Sequence, residues 1–208
     1  MRAVIFCWSD SHICPITPKP DDYVICADCG YEFASRCGFK PDIVIGDMDS
    51  LGYLPPFEKI VLPVRKDDTD THYAVEYALK KGYKEVVIVG GIGGSRIDHM
   101  FANIQTLRHI YICGARGYIS DGRTEIRYLP AHAKLLVPYN ERITTVSFVP
   151  LCDTVGVNIL GFEYEAKNCA LCASRPLAVS NSMLHGQDGT ISLEHGEGLV
   201  FILYGGKE

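Results

Sequence analysis

Glu85-Val86-Val87-Ile88-Val89-Gly90-Gly91-Ile92-Gly93-Gly94-Ser95-Arg96-Ile97-Asp98-His99 is the stretch from which the fold can be read. It opens on an almost unbroken β-branched, apolar run, the composition of a strand buried on both faces of a parallel sheet. The glycines free the backbone for a tight loop. From Asp98 to Tyr111 the apolar residues Phe101, Ile104, Leu107 and Ile110 then recur at helical spacing, and Gly114 follows. Strand, loop and helix in direct succession are the repeating piece of an α/β layer. Upstream, Ala3–Trp8, Tyr23–Ala27, Asp42–Ile45 and Lys59–Pro63 are further short runs bounded by Gly, Pro or Asp. A second helix is predicted over Thr69–Lys81, with Val75, Ala78 and Leu79 on one face and Glu76 and Lys80 as an exposed i, i+4 pair. Asp68 or Thr69 can cap its start and Gly82 stops it. The expected fold class is α/β: a mostly parallel sheet flanked by helices in residues 1–125.

Beyond residue 120 the pattern changes. Gly117–Pro138 carries short strand-like runs broken by Gly122 and Pro130. Thr144–Val149, Val155–Ile159, Leu177–Ser180, Gly189–Leu193 and Gly198–Tyr204 read as strands separated by Gly, Asn and Asp turns, with no helical period among them. Residues 126–208 are therefore expected to form a C-terminal all-β sandwich domain. No fixed-period repeat or low-complexity segment is evident.

The bulk composition fits a globular enzyme. With 208 residues, 47% hydrophobic and 22% charged, the chain can bury a sizeable core. A net charge of -5 without a Lys/Arg-rich run argues against nucleic acid as a partner. Ala3–Trp8 is too short for a signal-peptide core and no stretch approaches a membrane span, so the cytoplasm is the expected compartment. The nine cysteines are an odd number in a chain read as cytoplasmic, and reduced thiols are expected. Cys26-Ala-Asp-Cys29 and Cys169-Ala-Leu-Cys172 have zinc-knuckle gaps but lie far apart, each within strand-like sequence.

Three acidic blocks fall at expected strand ends: Gly46-Asp47-Met48-Asp49-Ser50, Lys66-Asp67-Asp68-Thr69-Asp70 and Gly93-Gly94-Ser95-Arg96-Ile97-Asp98-His99. Each block alone is compatible with a turn or a helix start. In an open α/β sheet, however, ligands bind beyond the carboxyl ends of the strands, where all three converge. Two like charges about 4 Å apart repel by roughly 4 kcal/mol at an effective dielectric near 20, so converging carboxylates need a cation. Glycines that let backbone amides approach an anion and an arginine fork point to polyphosphate carried with Mg²⁺.

The ordered set Ala27-Asp28-Cys29-Gly30, Pro41-Asp42 with Gly46–Ser50, Lys66–Asp70, and Gly90–His99 with Asn103 resembles the thiamine pyrophosphokinase family. Gly161-Phe162-Glu163-Tyr164 and Ser180-Asn181 resemble its carboxyl-terminal signatures, which extends the resemblance over nearly the whole chain. The resemblance implies transfer of pyrophosphate from ATP to the hydroxyethyl group of thiamine, with AMP released. It implies that Asp47, Asp49 and Asp70 hold Mg²⁺, that Asp98 is a further carboxylate, and that Arg96 and Thr69 contact ATP phosphates. Lys66, Asp67, Gly93, Gly94 and His99 belong to the same nucleotide site, which Asp28 borders. Ser180 and Asn181 are the implied pyrimidine contacts, residues 1–125 the ATP- and metal-binding domain, residues 126–208 the thiamine-binding domain, and a homodimer the implied assembly. Met48 and Cys29 depart from the family's usual aromatic and glycine, leaving the carboxylates intact. Two other classes stay open from the residues alone: a metal-dependent phosphoesterase with clustered aspartates, and a non-catalytic module with zinc at the Cys-X-X-Cys pairs.

Overall fold

A computed structural model describes residues 1–48 and 56–205, which divide into two compact units, 1–122 and 123–208. In the first, β1 (Ala3–Phe6), β2 (Tyr23–Ala27), β3 (Ile43–Gly46), β4 (Lys59–Val61), β5 (Glu85–Val89) and β6 (Arg116–Ser120) line up in the order β4-β3-β2-β1-β5-β6, with every adjacent pair parallel. The chain winds outward from β1 in one direction to β4 and in the other to β6, so β1 and β5 flank the switch point where a ligand crevice opens. β1 and β3 are buried at every position, as an all-apolar strand between helical layers should be. Phe6 packs edge-on to Phe33 at 5.9 Å and against Phe39 at 4.9 Å, contributing about 2 kcal/mol by burial, with the aromatic geometry adding to it.

Helix α2 (Asp70–Lys80) starts where Thr69 Oγ1 accepts the His72 backbone N–H at 3.2 Å. It ends at Gly82, whose φ of +89° permits the Tyr83 N–H to reach back to the Ala78 carbonyl. The expected Glu76–Lys80 pair is present at 3.3 Å. Helix α3 (Ile97–Ile112) buries Asn103, Ile104, Thr106, Leu107 and Ile110, but Phe101 is exposed, contrary to the expected stripe. Steps of three residues lag each 3.6-residue turn by about 60°, so a stripe written only in threes drifts off the buried face. A further helix, α1 (Gly30–Arg36), buries Phe33 and Ala34; at seven residues it is too short to display a period.

The second unit contains β7 (Thr124–Leu129), β8 (Lys134–Val137), β9 (Ile143–Pro150), β10 (Thr154–Leu160), β11 (Ala166–Leu171), β12 (Gly189–Ser192) and β13 (Gly198–Tyr204). β13 pairs with β7 and β9, while β8, β12, β10 and β11 form a four-stranded sheet, all antiparallel. Alternate residues of β9, including Val146 and Phe148, join Phe162, Ile191 and Val200 in one core. Leu177–Ser180, expected as a strand, is instead an irregular segment held to β9 by the Phe148 N–H on the Ala178 carbonyl, the Ser180 N–H on the Ser147 hydroxyl and a bridge at Asn181–Val146. Pro176 withholds an amide just before it, and Ser180 adopts φ +61°, off the strand conformation. Among the described residues no helix is long and apolar enough to cross a membrane.

Candidate active site

The residues that follow the carboxyl ends of β1 to β5 line one cleft of about 740 Å³. After β1 come Cys7 and Trp8; after β2, Asp28 and Cys29; after β3, Asp47; after β4, Lys66 to Asp70; after β5, Gly91 to Arg96 with His99 and Asn103. Backbone geometry places the first acids. Asp28 has φ +45° and its N–H donates to the Ile45 carbonyl at 2.9 Å. A β-carbon on Gly46 would come within 2.9 Å of the Asp28 β-carbon, so the glycine lets the two strand ends approach.

The electrostatic centre is Lys66. Its ammonium donates to Asp47 Oδ2 at 2.7 Å and lies 3.0 Å from Asp70 Oδ1. Burial pulls this ammonium down, but the hydrogen bonds to Asp47 and Asp70 outweigh it and leave the group above its ordinary pKa. Burial raises the Asp70 carboxyl above the usual range; Asp47 and Asp28 push the same way, and Lys66 recovers only part of the cost. Asp47 and Asp70 share one ammonium and Asp28 lines the same cleft, which is thus short of positive charge. The donors are hard oxygens, which suit Mg²⁺ and do not suit a thiolate-seeking metal. Among the described residues Asp47 and Asp70 are fitted to hold it, with Asp28 lining the same cleft. Asp49 lies outside the described residues.

The glycine loop lines the same cleft with backbone. Gly90, Gly91, Gly93 and Gly94 all have positive φ, and the Asn103 side-chain amide donates to the Gly91 carbonyl at 2.8 Å. A β-carbon on Gly94 would lie 2.6 Å from the Trp8 ring, so the indole packs directly on the loop. Arg96 reaches the cleft, but its guanidinium is held in a bidentate pair by Asp98 at 3.0 and 2.8 Å. The side chains of this pair are 64% and 68% exposed, and Asp98 does not itself line the cleft. Hydrogen bonding from Arg96 holds the Asp98 carboxyl far below its usual range. Thr69, Asp67 and His99 line the cleft, with the Thr69 hydroxyl already capping α2.

In the second unit Ser180 is exposed and Asn181 is buried. The Asn181 side-chain oxygen accepts the Tyr164 and Ser182 N–H groups at 3.0 Å each, and its amide donates to the Tyr164 carbonyl at 2.7 Å. The two signature segments of this unit are thereby tied to each other.

Reading the sequence alone passed over Trp8 and the structural use of Asn103. Trp8 had a positional signal, since it lies just past the strand next to β5; Asn103 was marked by its place in the resembling motif set, but its hold on the Gly91 carbonyl was not. Cys7 is buried beside Thr71 at 3.2 Å, and burial pushes its thiol up to about 12, which removes it as a nucleophile. All nine cysteines are free.

Residues 18–116 match the family model described as thiamin pyrophosphokinase, catalytic domain, and residues 133–196 match thiamin pyrophosphokinase, vitamin B1 binding domain. The chain belongs to the thiamin pyrophosphokinase family. A Bacillus subtilis (strain 168) protein named thiamine pyrophosphokinase is 28% identical over 137 residues, a match that takes in 65% of this chain and 63% of that relative. The crystal structure of the Bacillus subtilis thiamine pyrophosphokinase superposes with a TM-score of 0.83 at 23% identity, covering 98% of each chain. That of Geobacillus thermodenitrificans thiamin pyrophosphokinase gives 0.80 at 22% identity over 99% of this chain and 98% of that one. Thiamin pyrophosphokinase from Candida albicans gives 0.73 at 16% identity over 98% and 88%. At these identities the structures establish a common fold.

Proposed function

We propose that this protein transfers the pyrophosphoryl group of ATP to the hydroxyethyl oxygen of thiamine, giving thiamine diphosphate and AMP in an Mg²⁺-dependent reaction. The observation that carries the reading is the charge pattern of the cleft. Carboxylates of Asp28, Asp47 and Asp70 line the same cleft of about 740 Å³ as a glycine loop and the Arg96 fork. The acids suit a hard divalent cation, the glycine loop and the arginine a chain of phosphates. The named activity of the Bacillus subtilis relative supports the same chemistry.

In this reaction a bond forms from the hydroxyethyl oxygen to the β-phosphorus, and the bond from the β-phosphorus to the α–β bridging oxygen breaks. The hydroxyl proton leaves to a carboxylate of the cleft, and AMP carries away the electron pair. Bound Mg²⁺ supplies charge neutralisation on the phosphate oxygens. Asp47, Asp49 and Asp70 are assigned to hold it. Lys66 keeps Asp47 and Asp70 oriented toward one point. Positive-φ glycines 93 and 94 present backbone to the phosphates without side-chain interference, and Arg96, with Thr69, contacts their oxygens. Asp98 fixes the plane of the Arg96 guanidinium; Asp67, Asp28 and His99 border the nucleotide. Thiamine recognition is assigned to the second unit, with Ser180 as a pyrimidine contact and Asn181 holding that segment in place. The exposed apolar side chains of Tyr164, Leu177, Val179 and Leu184 near it support a homodimer, and a cytoplasmic setting follows from the substrates.

The test is to incubate purified protein with ATP and Mg²⁺, with and without thiamine, and to separate the nucleotides. AMP formed only when thiamine is present supports the proposal. Orthophosphate released without thiamine indicates a phosphoesterase, and ADP indicates ordinary kinase chemistry.

A further inference from the structure

The proposed reaction makes no use of the side chains where His72 and Glu76 of α2 meet His109 of α3, none of which lines the cleft. His72 and Glu76 stand one turn apart on α2, and His109 and Cys113 one turn apart where α3 ends. A spacing of four puts each pair on one helix face. The two faces meet: His109 Nε2 lies 2.6 Å from Glu76 Oε1 and 3.6 Å from Cys113 Sγ. The His72 and His109 rings are 4.8 Å apart, and one ligand atom from each of His72, Glu76 and His109 lies within 4.8 Å of the others. Lys80 engages the second Glu76 oxygen at 3.3 Å, which leaves Oε1 turned toward the histidines.

We propose that His72, Glu76 and His109, with Cys113 as fourth ligand, bind a divalent transition metal of the zinc class, at a site distinct from the acidic cleft. Imidazole and thiolate donors prefer a borderline metal over Mg²⁺, whereas the cleft offers oxygen alone. With bonds of about 2.0 Å to nitrogen and 2.3 Å to sulfur, a tetrahedral centre sets nitrogen and sulfur roughly 3.5 Å apart. The observed 3.6 Å between His109 and Cys113 matches that edge. The 2.6 Å contact between His109 and Glu76 must open by roughly 0.8 Å to reach the nitrogen–oxygen edge of such a centre. Both side chains are about a third exposed and have room to do so. A simple imidazole–carboxylate hydrogen bond uses two of these four groups and calls for neither the second imidazole nor the thiol.

An ion here would clamp α2 to α3. His72 and His109 open into a cavity of about 350 Å³ shared with Asp67, Asp68 and Thr69, which gives the ion a route in and sets it beside the run that leads to Asp70.

The experiment uses the full chain, stripped by chelator and held in excess Mg²⁺ so that the cleft carboxylates are occupied. Zn²⁺ is titrated against a chromophoric chelator, and Co²⁺ serves as the coloured probe. One Zn²⁺ per chain is expected, with affinity lowered about 100-fold or more in His72→Ala and His109→Ala and unchanged in Asp70→Asn. The Co²⁺ form should show tetrahedral visible bands and a sulfur-to-cobalt charge-transfer band that Cys113→Ser abolishes. Circular dichroism confirms folding of each variant, and His109→Gln replaces His109→Ala if the latter is unfolded. Zn²⁺ affinity unaltered in His72→Ala and His109→Ala, loss of the site in Asp70→Asn, or a Co²⁺ spectrum without the sulfur band would overturn the proposal. The readout is binding, so it stands or fails independently of the pyrophosphoryl-transfer reading.

Discussion

Replacing Lys66 by methionine removes the one ammonium that separates Asp47 from Asp70 while keeping the length of the side chain. From 2.7 and 3.0 Å, each attraction is worth roughly 6 kcal/mol at an effective dielectric of 20, a gross figure offset by several kcal/mol for desolvating the lysine. What remains is the cost of taking the ammonium away from two buried carboxylates, about 3–5 kcal/mol. All three side chains are less than a quarter exposed, so solvent screening does not erase this. For a chain of this size the melting temperature of metal-free protein should fall by roughly 6–20 °C. The loss should also depend on pH in a definite sense. Asp70 is already raised in the folded protein, chiefly by burial, so ionising it opposes folding. That penalty is complete at neutral pH and relieved as the pH falls through the raised value, because the folded state then binds the proton more tightly than the unfolded one. Without Lys66 the rise is larger, and Lys66→Met should regain stability on mild acidification more than the parent does. Mg²⁺ should do the same at neutral pH. Thermal melts of both proteins, with and without Mg²⁺, at neutral and mildly acidic pH are the assay. A variant as stable as the parent, or one that neither acid nor Mg²⁺ restores, would refute the electrostatic reasoning.

Other consequences are more local. Gly91→Ala puts a β-carbon 2.8 Å from the Asn103 amide at φ +72°, so it should destabilise the protein by about 1–3 kcal/mol and raise the KM for ATP, measured by urea unfolding and steady-state kinetics. Arg96→Ala should leave the melting temperature unchanged, since the Arg96–Asp98 pair is exposed, while lowering kcat/KM for ATP about tenfold or more. Asp22 accepts from Arg2 at 2.7 and 2.9 Å with both side chains buried; burial raises its carboxyl, but the Arg2 hydrogen bonds win and lower it. Its stabilisation is therefore present above the unfolded value of about 3.9 and lost as the pH falls through the lower folded value. Asp22→Asn should cost about 3 kcal/mol at pH 7 and flatten that acid limb of the stability profile.

Much of the first unit was legible because its strands are buried on both faces and its two long helices carry caps and stops. Val86–Val89 and Ile43–Ile45 have no other place to go than a sheet interior. Thr69 and Gly82 marked the ends of α2 for reasons of backbone hydrogen bonding that hold locally. Where tertiary context decides, the sequence was silent or misleading. Helix α1 packs on the sheet through Phe33 against Phe6, and Ala166–Leu171 pairs with β10 as a strand, contacts that no local period announces. Leu177–Ser180 has the composition of a strand but sits between a proline and a left-handed serine. At the site, the acids stood out because Asp47 and Asp70 closely follow strand ends in the sequence itself. The reach of Lys66 to Asp47, the packing of Trp8 on Gly94 and the hold of Asn103 on Gly91 did not, since each joins residues of different elements.

The proposed role of the cleft acids, thiamine-dependent cleavage of ATP to AMP, is tested most directly by measuring AMP and thiamine diphosphate together, in Mg²⁺, for the parent protein and for Asp70→Asn. Because the ionised Asp70 is held against a burial cost, the asparagine should fold with stability close to that of the parent. The parent should yield the two products in equal amounts, and the folded variant should turn over about 100-fold or more slowly. Parent protein yielding ADP or orthophosphate, or a variant turning over at the parental rate, would contradict it.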